Sequence, residues 1–160
     1  MKNPWPFIVA LALIFYSNGA AFMESFVNYP SWRLIGANEF LGYHHFVSPR
    51  IIAFLVAPAL LATVFTFLML RYRPAAIPLW SVWVAIGLQV IVWVSTAAIQ
   101  IPIQREFGAT GFSEPELVRL MTSNFWLRRI PLGLTGALFL WMSHRVISNA
   151  QGSGGGITRN

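Results

Sequence analysis

Few side chains in this sequence are of the types that carry out acid–base chemistry or bind ligands. Glu24 and His44 are candidate proton acceptors, and the guanidinium of Arg128 is a candidate to stabilise an anion that forms beside them. Polar groups inside a membrane are costly, so those that interrupt apolar segments are candidates for function. On this ground we predict the ligand-binding residues to be His44, His45, Gln100, Gln104, Asn124 and Arg129.

The composition excludes some kinds of site and offers too few ligands for others. The chain has no cysteine and no aspartate, which excludes disulfides, thiolate metal sites and Ser-His-Asp catalysis. We predict no metal site, because Glu24 and one histidine are too few ligands and adjacent histidines point about 100° apart on a helix. No cofactor is required, although one imidazole of His44 or His45 suffices as an axial ligand of haem or chlorophyll. The simpler alternative is hydrated histidines and an ion pair between Glu24 and one of Arg105, Arg128 and Arg129.

The elements that must position these residues are long apolar helices. The 160 residues are 56% hydrophobic and 10% charged, whereas a soluble domain carries about 25% charged residues. Three apolar runs reach the roughly 20 residues that cross a bilayer. The fourth, from Ile130 to Met142, is shorter than that, so we predict that its helix begins near Asn124 or ends near Ser148. We therefore predict an all-α, four-helix transmembrane bundle without internal repeats, in one membrane domain over residues 1–148 and with a disordered tail over 149–160. The predicted spans are 5–27, 49–70, 78–103 and 125–147.

The connections between spans carry the remaining local signals. Residues 31–47 have apolar positions at helical spacing, which predicts a short interfacial helix between the first two spans. Ser48 and Pro49 fit the N-cap and first position of the second span. Ser113 and Glu116 fit a capping box that opens a second short helix, between the third and fourth spans.

Basic residues predict the orientation of the bundle, and they stand singly or in pairs at the ends of apolar runs. That placement suits lipid headgroups, so we predict no nucleic-acid partner. The short loop with Arg71 and Arg73 contains no acid, which favours both termini in the cytoplasm. Lys2, Arg145 and Arg159 fall on the same side. The other side carries all five glutamates and the arginines Arg33, Arg50, Arg105, Arg119, Arg128 and Arg129.

Several short motifs resemble a group of small bacterial four-helix membrane proteins of unassigned function, which are distantly similar to the anthrone oxygenase-like family. The resemblance covers residues from about 20 to 141 and implies a bacterial inner-membrane location. Its motifs are Asn28-Tyr29-Pro30, Phe40-x-x-Tyr43-His44, Arg50-Ile51, Ser95-Thr96, Gln100-x-Pro102, Gly111-Phe112, Leu120 and Asn124.

The chain departs from the group's pattern at its polar positions. The group has histidine at the positions of Asn28, Val47 and Gln104, and a carboxylate near Thr63. His44 is retained, and the group's Trp-x-Arg survives, shifted, as Trp126-x-Arg128. We therefore predict a non-catalytic accessory subunit of a larger inner-membrane assembly, respiratory or photosynthetic. The alternative is an enzyme or binding protein for an apolar aromatic or a quinone at the outer interface, with a cavity between the first and fourth helices. A small transporter is a weaker alternative.

Overall fold

The structure is a computed structural model that describes residues 4–154, with side chains as far as Gly152. It is 92% helical, and residues 4–154 contain no strand, which confirms the predicted all-α bundle. Lys2, Arg159 and residues 155–160 of the predicted tail lie outside the described residues. The four long helices, named α1 to α4 in chain order, are Trp5–Leu34, Ala37–Tyr72, Leu79–Thr110 and Glu114–Gly152.

Each helix is long and apolar enough to cross a membrane, so this is a multi-pass membrane protein. The fourth helix meets the length requirement by continuing through Arg128 and Arg129, outside its shortest apolar stretch. Its last regular segment, Ile130–Gly154, extends into the segment for which we predict a tail.

The structure corrects the two connections. Residues 37–47 belong to the first third of α2, which begins at Ala37 and runs through Pro49 without interruption. The predicted helix start at Ser48 is wrong, because its hydroxyl donates to the backbone carbonyl of His44, at 2.7 Å. The helix start after Ser113 is confirmed, but the Ser113 side chain makes no capping hydrogen bond. The second short helix is likewise continuous with α4.

A π-helical turn of five residues interrupts each of the four helices. A proline follows each turn at the second residue beyond its end, at Pro30, Pro58, Pro102 and Pro131. The turns are Glu24–Asn28, Ile52–Val56, Thr96–Gln100 and Phe125–Arg129.

The prolines explain why the turns are wide. Proline lacks an N–H, and its ring clashes with the carbonyl four residues earlier in a regular α-helix. In the first turn the N–H of Tyr29 instead donates to the carbonyl of Glu24, five residues earlier. The corresponding i to i+5 bond closes the other three turns. Local π geometry of this kind lets a membrane helix keep proline without leaving several backbone groups unpaired.

The turns recur at matched positions in two helical hairpins, α1–α2 and α3–α4. In the first hairpin they begin 28 residues apart, at Glu24 and Ile52, and in the second 29 residues apart, at Thr96 and Phe125. The π-turns with their prolines are thus a repeated backbone feature, which we did not predict from the sequence. The sequence signal for this repeat is the spacing of the four prolines.

Two clusters of buried apolar side chains fill opposite ends of the bundle. The termini-side cluster lies at the end that holds the α2–α3 loop, and the hairpin-side cluster lies at the end that holds the other two connections. The termini-side cluster contains Phe7, Ala10, Ile14, Ala62, Met69, Ile77, Val82, Ala85, Ile86, Phe139 and Met142. The hairpin-side cluster contains Tyr29, Trp32, Phe40, Ile103, Phe107, Leu117 and Leu120.

Candidate functional site

Most of the buried polar side chains in the described chain lie in or near the four π-turns. The turns and their neighbours place polar residues of α1, α3 and α4 between the two apolar clusters. We call this set the polar layer. Its buried members are Ser17, Asn18, Glu24, Ser25, Gln89, Ser95, Gln100, Asn124 and Thr135.

Glu24 is the one buried carboxylate among the described residues, and 8% of its surface is exposed. It begins the π-turn of α1, one helical turn before Asn28. The Asn28 side-chain amide donates to both carboxylate oxygens of Glu24, at 2.8 Å each. The Tyr43 hydroxyl of α2 donates in turn to Asn28 Oδ1, at 2.6 Å. This chain of bonds fixes the orientation of the carboxylate from two helices.

An open cleft of about 360 Å³ lies beside Glu24, between α1 and α2. Met23, Val27 and Phe54 form its outward rim and are more than half exposed. Because the exposed faces of a membrane bundle contact lipid, the cleft opens sideways toward the lipid phase. The lining residues are Tyr16, Ala20, Met23, Glu24, Val27, Asn28, Ser31, Ile51, Phe54 and Leu55.

Glu24 forms no ion pair with an arginine among the described residues, in contrast to the alternative prediction. The ion pairs among the described residues are Arg33–Glu114, at 2.7 Å, and Arg119–Glu116, at 3.5 Å, and both lie near the start of α4. The positive charge of Arg128 acts on Glu24 from beyond 4 Å. The carboxylate is therefore held by a neutral amide and keeps one face toward the cleft.

Arg128 and Arg129 leave the same π-turn in different directions. Arg128 lines a chamber inside the bundle and lies beside the hydroxyl of Tyr29. Arg129 lies over the Phe26 ring, 4.0 Å from its centroid, and donates to the backbone carbonyl of Ser25. Neither guanidinium lines the cleft, so the predicted anion stabilisers and the predicted proton acceptor Glu24 occupy separate spaces.

Asn124 and Gln100 join helices within the polar layer. The Asn124 amide donates to Ser25 Oγ at 2.7 Å, which links α4 to α1. The Gln100 amide donates to Ser123 Oγ at 3.0 Å, which links α3 to α4. Both side chains are almost fully buried, and neither lines the cleft. In the structure, these two predicted ligand-binding residues thus form hydrogen bonds between helices.

The adjacent histidines fasten α2 to α3 outside the polar layer. His44 Nε2 lies 2.9 Å from Gln104 Oε1, inside a cage of the aromatic rings of Trp32, Phe40 and Phe107. His45 Nε2 lies 3.0 Å from the carbonyl of Gly108, on the exposed side. Since each Nε2 already has a partner, an axial bond from it to haem or chlorophyll requires breaking the α2–α3 contact.

Among the predicted site residues, Glu24 lines the lateral cleft, Arg128 lines the inner chamber, and the others make contacts between helices. Sequence reasoning missed Asn28 as the partner of Glu24 and Tyr43 as the partner of Asn28, although both stand in the motifs quoted above. It also missed Gln89, whose signal is a lone amide within the apolar run of α3.

We predicted a cavity between the first and fourth helices; the chamber is lined by residues of both, together with the other two helices, and a separate cleft lies between the first and second helices. Comparisons with protein-family models, with curated proteins and with solved structures found no match to the chain. The resemblance to the anthrone oxygenase-like family thus stays a prediction.

Proposed function

We propose that this membrane protein binds a small amphiphilic molecule in the lateral cleft, with the molecule's hydrogen-bond donor on Glu24. The single observation that carries the proposal is a buried carboxylate without an ion pair that faces an open, mostly apolar cleft. A carboxylate accepts strong, charge-assisted hydrogen bonds. A flat hydroxylated aromatic such as a hydroquinone offers both the donor and the apolar body that such a cleft accommodates.

The geometry favours binding over catalysis. An oxygenase-like reaction at Glu24 needs a positive group that stabilises the anion left after proton removal. Arg128 and Arg129 do not line the cleft, and the Asn28 amide that bonds to Glu24 is neutral. Glu24 is thus suited to accept a hydrogen bond from a ligand, which is a weaker requirement than proton abstraction.

Binding of decyl-hydroquinone to the full chain in lipid nanodiscs tests this proposal. We expect Glu24→Gln to weaken binding about ten-fold or more, because a neutral amide accepts a weaker hydrogen bond than a carboxylate. Ala20→Phe, which fills the cleft, should weaken binding while leaving Glu24 in place. The measurement is isothermal titration calorimetry under anaerobic conditions.

The matched control is Glu106→Gln, which removes an exposed glutamate of α3 outside the cleft. It should bind as the unaltered chain does. Equal affinity in all four proteins would show that the hydroquinone partitions into lipid rather than into the cleft, and would refute the proposal.

We place both termini on the cytoplasmic side of a bacterial inner membrane, from the basic α2–α3 loop. Because the chain has no cysteine, single introduced cysteines report orientation cleanly. Ala75→Cys in that loop should react with a membrane-impermeant maleimide only after cell lysis. Ala109→Cys, at the other end of the bundle, should react in cells whose outer membrane has been permeabilised. The opposite labelling pattern would invert the topology.

The expected role as a subunit of a larger assembly stays a prediction. Exposed apolar faces on all four helices suit lipid and protein partners equally. Extraction in mild detergent, followed by mass measurement, separates the two. A particle of one chain with bound lipid would count against the subunit role.

A further inference from the structure

A chamber of about 60 Å³ lies among the four helices, and Leu55 lines both this chamber and the lateral cleft. All four helices contribute to its wall. Protein interiors are usually packed without gaps larger than one water molecule, and one water needs about 10–15 Å³ on this measure. The chamber thus has room for about four waters. Its polar lining comes from Ser17, Asn18, Thr63, Gln89, Trp93, Thr96, Arg128 and Thr135.

Four buried polar atoms in this wall have no hydrogen-bond partner in the described chain: Ser17 Oγ, Asn18 Oδ1, Gln89 Oε1 and Arg128 Nε. Native structures pair nearly all buried polar groups, either with protein or with bound water. Four of the seven such atoms in the described chain belong to residues of this one wall, which indicates that something polar occupies the chamber.

The orientation of both amides follows from their other contacts. Asn18 Nδ2 donates to the carbonyl of Leu132 at 2.9 Å, and a carbonyl is only an acceptor. Gln89 Nε2 donates to Thr66 Oγ1 at 3.0 Å. The Thr66 hydroxyl gives its own proton to the carbonyl of Ala62, so it serves Gln89 as an acceptor. Neither amide can be flipped without losing a bond, so each leaves its oxygen unpaired at the chamber.

The chamber thus offers two amide oxygens as acceptors, one hydroxyl, and one N–H donor on a guanidinium. The positive charge of Arg128 disfavours a metal cation or an ammonium ion. The oxygens of Asn18 and Gln89 disfavour an anion that carries no proton. A small neutral molecule that both donates and accepts hydrogen bonds satisfies all of them, and water is the one that fits the volume.

We propose that this chamber is a hydration site, in which a cluster of waters bridges Arg128 to the amide oxygens of Asn18 and Gln89, and that Leu55 separates it from the cleft. Leu55 belongs to the π-turn of α2 and lines both spaces. The site is independent of whatever the cleft binds, because its polar lining residues do not line the cleft.

Water-to-protein magnetisation transfer in solid-state NMR, with the full chain in lipid bilayers, tests the site. The side-chain amide of Gln89 should receive magnetisation from water several-fold faster than the methyl group of Met142, a fully buried residue of the termini-side cluster. Equal, slow transfer to Gln89 and Met142 would show a dry chamber and overturn the proposal. Transfer to Gln89 from lipid acyl chains in place of water would overturn it as well.

Two variants and one control localise the signal. Ala59→Leu fills the chamber wall and should abolish fast transfer to Gln89, whereas Ala53→Leu, on an exposed face of the same helix, should preserve it. Leu55→Ala joins the chamber to the cleft, and the Gln89 amide should then exchange with deuterated water at least ten-fold faster. Unchanged transfer in Ala59→Leu would refute the location of the waters, and unchanged exchange in Leu55→Ala would refute the role of Leu55.

Discussion

The two halves of the bundle are held together by different proportions of apolar packing and polar bonds. In the termini-side half, helices pack through van der Waals contacts between apolar side chains. The rings of Phe7 and Phe139, for example, stack with their centroids 6.1 Å apart. In the hairpin-side half, polar bonds cross between helices, such as Asn124–Ser25, Tyr43–Asn28 and His44–Gln104. Lipid is as apolar as a helix surface, so membrane helices associate through van der Waals packing and interhelical hydrogen bonds. Van der Waals packing predominates in the termini-side half, and interhelical hydrogen bonds predominate in the hairpin-side half.

The cavities lie between the two apolar clusters, at the level of the polar layer. The chamber borders Ile14 and Ala62 of the termini-side cluster, and no member of the hairpin-side cluster lines either space. The π-turns and their prolines widen the helices near this level and bring polar groups inward. We therefore expect the apolar clusters to provide most of the stability and the polar layer to provide the space for ligands.

Truncating the stacked ring should give the largest effect on stability. Phe139→Ala removes a fully buried side chain, and a Phe→Ala change in a core costs about 3–5 kcal/mol. We expect a loss of that order in the free energy of unfolding, measured by SDS titration in mixed micelles. Phe67→Ala, on the exposed face of α2, is the control and should cost far less. Similar losses for both variants would contradict the view that apolar packing stabilises this half.

A smaller loss of stability should follow from crowding at Gly136, which lies close to Asn18 of the polar layer. A Cβ added at Gly136 lies 2.9 Å from Asn18 Nδ2, whereas one added at Gly133 meets nothing within 4 Å. Gly136→Ala should therefore displace the Asn18 amide from the Leu132 carbonyl, at a cost of about 1–3 kcal/mol for the crowding. Gly133→Ala should be neutral or stabilising in the same titration. If the two variants had equal stability, the close approach at Gly136 would be of no consequence.

The smallest effect is expected for a single polar bond between helices. Asn124→Leu removes the bond to Ser25 while keeping a side chain of similar size, and such bonds in membranes are worth about 0.6 kcal/mol, at most about 1.7. Asn38→Leu, at an exposed position of α2, serves as the reference. A loss as large as that of Phe139→Ala would reverse the comparison, since polar bonds would then dominate the stability.

The sequence by itself determined the class of fold. Few charges and four long, mostly apolar segments indicate an all-α membrane bundle, because a backbone in lipid must satisfy its own hydrogen bonds. It also identified Glu24 and Arg128 as costly polar residues. A charged side chain within an apolar segment can be recognised from the sequence alone, because moving it into lipid is costly.

Only the tertiary structure decided how these residues are arranged. Pro49 lies inside a continuous helix, and Pro30 does not end α1, because the π-turn before Pro30 closes with an i to i+5 hydrogen bond. Glu24 and Arg128 both belong to π-turns, yet they line different spaces. The spaces that they line depend on contacts between residues about 100 positions apart, as between Ser25 and Asn124. No local pattern records contacts of that range, so the separation of cleft and chamber was visible only in the folded chain.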